Sequence, residues 1–93
     1  MSDKESPSVM VDAIVERDDK LLSVKRKKDP FKGVLSFPGG KVDLGEKVED
    51  AMKRELREET NLAIEPTDIL VVYSDPSRDT RGHNIYYIYC EYK

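Results

Sequence analysis

Apolar and polar residues change period several times along the chain, and each change marks an element. Residues 9–16, VMVDAIVE, are apolar and β-branched, RDDK turns the chain, and LLSVKRK resumes a strand-like run, which predicts a β-hairpin. KKDPFKG reads as a loop, and the VLSFPGGKVDLGE that follows is interrupted by Pro38, Gly39, Gly40 and Gly45, so backbone shape counts there more than side chains. From Lys47 to Thr60 every residue tolerates a helix; Asn61 can cap it in the left-handed conformation, and Pro66 forbids its continuation. DILVVYS predicts a strand, DPSRDTRGH a polar loop, and NIYYIYCEY a last strand rich in Tyr and Ile. The expected order is β-rich, one helix, then β, preceded by a loose polar tail at residues 1–8.

Within the helix, Val48, Ala51, Met52, Glu55, Leu56 and Glu59 follow the i, i+3, i+4, i+7 series of one face. Two carboxylates therefore lie in the apolar stripe. Burying an unpaired carboxylate costs several kcal/mol, so each needs a buried cationic partner or a metal ion. Glu55 and Glu59 are one turn apart and Glu58 is on the flank, so their oxygens can converge on one or two hard cations such as Mg²⁺ or Mn²⁺. The opposing reading is a solvated charged face braced by Asp50 with Arg54 and Arg54 with Glu58. Against it stand the inward position of Glu55 and Glu59 and the glycine-rich loop just upstream, which lets backbone approach a ligand at Gly40.

Composition sets the frame around this site. Ninety-three residues suit one domain, and 16 Lys plus Arg against 19 Asp plus Glu leave no global positive field to recommend a nucleic-acid partner. The short KRKK run at residues 25–28 is flanked by acids and does not change that. No apolar stretch approaches the roughly 20 residues of a membrane span. The single Cys90 cannot form an internal disulfide, and the N-terminus has charges where a signal peptide would be apolar, so a reducing cytoplasm is the expected location.

Gly40, five residues, Glu46, seven residues, then Arg54-Glu55-Leu56-Arg57-Glu58-Glu59 resembles the Nudix box, over residues 40–62. One position departs: Asn61 stands where the box has its last glycine, and Asn is the residue after Gly that best accepts a left-handed backbone. The resemblance implies a loop-helix-loop metal site that hydrolyses a nucleoside diphosphate linked to another moiety. By position, Glu55 and Glu59 would be metal ligands, Glu58 a ligand or supporting carboxylate, and the Gly39 carbonyl a further ligand. Arg54 and Glu46 would be the supports, and Glu58 or Glu55 could serve as base.

YSDPSRDTRGH resembles the segment that follows the box in ADP-ribose pyrophosphatases of the Nudix family and in related regulators that sense ADP-ribose; Thr80 stands where that segment usually has Pro. Arg26, Arg78 and Arg81 carry guanidinium groups suited to phosphate, although Asp79 could instead tie Arg78 or Arg81 within the loop. His83 reads as a loop hydrogen-bonder, and Tyr86, Tyr87, Tyr89 and Tyr92 as strand packing. The expected fold is α+β or α/β: a Nudix-type α/β/α sandwich with a mixed sheet over residues 9–93, incomplete at the C-terminus, because family members continue with further strands and a second helix. An unpaired sheet edge on so small a core predicts a homodimer. Two functions follow from the resemblance. One is a Mg²⁺-dependent pyrophosphohydrolase taking ADP-ribose to AMP and ribose 5-phosphate; the other is a catalytically weak module that binds ADP-ribose or a related nucleotide.

Overall fold

The computed structural model describes residues 8–27, 29, 31–74 and 83–93. Strand β1 (Ser8–Arg17) buries Val11, Ala13 and Val15 while the residues between them stay partly open, the period-2 pattern of a strand with one covered face. Asp18 and Asp19 both have positive φ, 54° and 61°, and connect β1 to β2 (Lys20–Leu21) in a two-residue turn. Turns of this handedness match the twist of the strands they join. The predicted hairpin is shorter than the apolar run implied. After Leu22 donates its N–H to the Val15 carbonyl at 3.0 Å, the chain leaves β1. Its next segment, β3 (Val24–Lys25), pairs with β4 (Leu35–Ser36) as a separate two-stranded ribbon.

The principal sheet is mixed, as expected. β1 occupies its centre, with β5 (Gly39–Lys41) antiparallel beside its first half and β2 beside its end. On the other side β7 (His83–Tyr92) runs parallel to β1 from Ser8 opposite His83 to Val15 opposite Cys90. β6 (Ile64–Tyr73) runs antiparallel to β7 and forms the far edge. This strand starts four residues before the predicted DILVVYS and contains Pro66, which faces Cys90. The register shifts between Pro66 and Asp68, the kind of bulge that accommodates a residue with no N–H to donate.

Helix α1 (Val48–Thr60) lies where the pattern placed it. Lys47 precedes it without a side-chain cap, Glu49 and Asp50 favour the positive end of its dipole, and Asn61 closes it at φ 55° with its N–H on the Arg57 carbonyl. Thr60 adds a second tie, its hydroxyl donating to the Leu56 carbonyl at 2.6 Å and accepting from Leu62 N–H at 3.2 Å. The buried face of α1, Ala51, Met52 and Leu56, packs on Val11, Ala13, Val15, Ile64, Ile88 and Cys90. Full burial of side chains such as Met52 and Leu56 contributes about 1.5–3 kcal/mol each. Tyr86 and Tyr92 pack against this cluster, as expected, and the Arg17 guanidinium lies 4.8 Å from the Tyr92 ring centre. Cys90 is a buried free thiol whose pKa burial pushes up to about 12. One helix covers one face of the sheet; among the described residues no element forms the second outer layer of the expected sandwich, and none of the helices is long and apolar enough to cross a membrane.

Candidate functional site

The segment between β4 and α1 folds tightly against β1 because Gly39 and Gly40 carry no side chain at the point of closest approach. Pro38 is fully buried and its carbonyl accepts from Ala13 N–H at 2.8 Å, and Val42 N–H reaches the Val9 carbonyl at 2.8 Å, so β5 is pinned at both ends. A Cβ at Gly39 would collide with the Val11 carbonyl and come within 2.5 Å of Asp12 Oδ1. At Gly40 it would meet the Glu55 carboxyl at 2.5–2.7 Å. The second glycine thus makes room for a helix carboxylate, not for an unusual φ. With Lys41 these two residues form a strand of the main sheet, which pattern reading missed, since Gly-Gly shows no alternation.

Arg54 joins loop and helix. Its Nε donates to Glu46 Oε2 at 2.9 Å and one terminal nitrogen to Glu46 Oε1 and the Lys41 carbonyl, each at 3.0 Å. The other terminal nitrogen donates to Glu55 Oε1 at 2.8 Å and lies 3.5 Å from Glu58 Oε2; Asp43 adds a contact at 3.6 Å. Glu46 also accepts from Asp43 N–H at 3.1 Å, in a turn that needs Gly45 at φ 83°. The two-pronged bond from Arg54, then the Asp43 N–H, hold the Glu46 carboxyl down at about 2. Bonds to Glu46 and Glu55 raise the Arg54 pKa further, so this cation is permanent. The solvated pairing of Asp50 with Arg54 is not what forms: the guanidinium reaches back to the loop.

Glu55 is 14% exposed, Glu58 58%. Glu59 has an exposed flank, yet its Oε1 accepts from Gly39 N–H at 3.3 Å. Burial pushes the Glu59 pKa up to about 7; the Gly39 N–H opposes this, while Glu55 and Asp12 reinforce it with negative charge. Asp12, mid-strand in β1 and opposite Gly39, is a site neighbour that sequence reasoning did not single out; its signal was a lone acid within an apolar run.

Among the described residues no three His, Cys, Asp or Glu side chains are arranged to hold a metal ion as they stand, and Glu58 turns outward. Glu55 and Glu59 do face one another beside Asp12, and burial, reinforced by these neighbouring acids, keeps Glu59 protonated toward neutral pH. A donor set of hard oxygens under mutual repulsion fits a divalent cation. Arg26 lies at the exposed end of β3, its backbone tied to Val34 and Gly33. Arg78 and Arg81 lie outside the described residues.

Comparison with known proteins gives this geometry a context. The chain is 53% identical over 79 residues to an ADP-ribose pyrophosphatase of Methanocaldococcus jannaschii, covering 85% of the chain and 47% of that relative. A crystal structure of an ADP-ribose pyrophosphatase from Streptococcus suis superposes with a TM-score of 0.80 at 25% identity, over 94% of this chain and 61% of that one. A bifunctional NMN adenylyltransferase/ADP ribose pyrophosphatase from Francisella tularensis, solved with AMP and Mn ion, superposes at 0.80 with 31% identity, over 98% of this chain and 29% of that one. The chain thus spans about half the length of that curated relative. The sequence model of the NUDIX domain family matches residues 6–93, and the chain belongs to that family.

Proposed function

We propose that the chain is a metal-dependent hydrolase that cleaves the pyrophosphate bond of a nucleoside diphosphate derivative, with ADP-ribose cleaved to AMP and ribose 5-phosphate. The observation that carries this reading is the Arg54 fork, which clamps Glu46 of the loop and Glu55 of the helix at 2.8–3.0 Å and leaves Glu55 facing Glu59. Glu55 and Glu59, with Glu58 and the Gly39 carbonyl, would hold Mg²⁺ or Mn²⁺. The chemistry such a cation supplies when bound is neutralisation of diphosphate oxygens and acidification of a water.

The chain's own residues do the rest. Arg54 and Glu46 fix the Glu55 carboxylate, Gly40 admits it beside the backbone, and Glu58, the least restrained of the three acids, can turn inward to take a proton from water. Arg26, Arg78 and Arg81 would contact phosphate oxygens. Similarity to ADP-ribose pyrophosphatases supports the substrate choice. A second reading, a binding module with weak catalysis, is favoured by the exposure of Glu58.

Incubating the protein with ADP-ribose and Mg²⁺ is expected to yield AMP by chromatography, with none in EDTA and a loss of at least 100-fold in Glu59→Gln. Undiminished AMP formation by Glu59→Gln would remove the proposed ligand set. Calorimetric ADP-ribose binding without any AMP would favour the binding module.

A further inference from the structure

Away from the box, a cavity of about 260 Å³ opens on the side of α1 that meets the start of β6. Leu62, in the connection from α1, and Ile64, the first residue of β6, give it an apolar wall. Lys53 and Arg57 of α1 bring two positive charges to it. The box lies on the other flank of the helix, where Glu59 reaches Gly39 of β5, and β1 and β7 stand between β5 and β6 in the sheet. The cavity is therefore no extension of the site already described.

Lys53 and Arg57 are four positions apart, and like charges one turn apart on a helix repel. Among the described residues neither side chain has an ion-pair or hydrogen-bond partner. Arg54 is the opposite case, with Glu46, Glu55, Glu58 and Asp43 all in contact. Glu65 also lines the cavity, but Lys93 Nζ engages its carboxylate at 3.2 Å, which leaves the two helix cations uncompensated. Arg57, in the last turn, gains from the negative end of the helix dipole; Lys53, a turn earlier, does not. Solvation alone accounts for two exposed cations, but not for their convergence on a cavity with an apolar wall.

We propose that this cavity is a second binding site, for a phosphomonoester with a sugar-sized body. Near neutral pH such a group carries close to two negative charges, which one guanidinium and one ammonium match. Arg57 offers paired N–H donors to phosphate oxygens and Lys53 a mobile point charge. The C–H face of the sugar lies against Leu62, 44% exposed, and Ile64, which is buried. Pockets for larger organic ligands run from roughly 300 to 1,000 Å³, so 260 Å³ suits a phosphate and its sugar, not a dinucleotide. Both cations are exposed and the end of α1 opposes an anion, so the dissociation constant is on the order of millimolar.

The test is a titration of the ¹⁵N-labelled chain in EDTA with ribose 5-phosphate, inorganic phosphate and ribose, read from backbone amide shifts. Ribose 5-phosphate is expected to move the amides around Lys53, Arg57 and Leu62 to Glu65 saturably, with phosphate binding several-fold more weakly and ribose not at all. Lys53→Gln and Arg57→Gln should each weaken ribose 5-phosphate by about tenfold or more, with an unchanged circular dichroism spectrum, whereas Glu59→Gln should bind like the parent. Shifts confined to β5 and the surroundings of Glu55 and Glu59 overturn the proposal, as does unchanged affinity in both cation variants. Phosphate binding as tightly as ribose 5-phosphate would overturn the sugar-sized body. No readout involves turnover, so this site and the proposed hydrolysis stand or fall separately.

Discussion

At the scale of single residues, the site depends on two adjacent glycines that are needed for different reasons. A methyl at Gly39 meets main chain, the Val11 carbonyl, which cannot move without disturbing the central strand; a methyl at Gly40 meets the movable end of Glu55. Gly39→Ala is therefore expected to cost about 1–3 kcal/mol of stability, as overpacking does. Gly40→Ala should leave the melting temperature nearly unchanged while lowering turnover about 10–100-fold, the usual effect of displacing a supporting contact in a metal site. Thermal melts and hydrolysis rates of both variants, measured side by side, would separate the two roles, and equal loss of stability in both would refute them.

Glu59 makes a second residue-scale prediction. Its pKa in the folded chain is about 7, against 4.5 for the free side chain, so the folded state holds the proton more tightly than the unfolded state. The stability this contributes is fully present below pH 4.5 and is lost as pH rises through 7. Glu46, at about 2, has the opposite sign: its contribution is present above 4.5 and lost only as pH falls toward 2, so it is constant across the Glu59 window. In EDTA, melting temperature should fall between pH 4.5 and 7, and Glu59→Gln should flatten that slope. An unchanged slope in the variant would assign the effect elsewhere.

At the scale of elements, α1 was legible before the structure because three signals agreed: an apolar stripe, a left-handed Asn61 after it, and Pro66 beyond. Spacing within the helix put Glu55 and Glu59 on one face; Glu55 is 14% exposed there, whereas Glu59 is exposed and reaches the sheet through the Gly39 N–H. The short strands were not legible. β5 is Gly-Gly-Lys and has no side-chain alternation to read, and β4 is two residues long. β6 starts before Pro66, where propensity argued for a break, because a bulge absorbs the missing donor. The β1–β2 turn was placed but not typed, since Asp18-Asp19 is an unusual choice where both positions need positive φ. Asp19→Gly should relieve that conformation by a net of roughly 0.5 kcal/mol after the entropic cost of glycine, a rise of a few degrees in melting temperature. A fall instead would mean that the Asp19 side chain stabilises the turn.

At the scale of the whole molecule, family membership could be read from the box and the mixed sheet followed from that resemblance, whereas the pairing of strands could not be read. Nothing local in VMVDAIVE says that its neighbours are NIYYIYCEY in parallel on one side and the glycine-rich strand β5 with β2 on the other. The central place of β1 has a consequence for how the chain emerges during synthesis. β1 is made well before its parallel partner, since β2 to β6 and α1 are all translated between them. Until then the nascent chain can form the β1–β2 turn, β5 and α1, while one side of β1 stays unpaired. An apolar strand therefore stays open on one side from its own synthesis until that of β7, and early engagement of β1 by β5 is the protection that this order of elements allows.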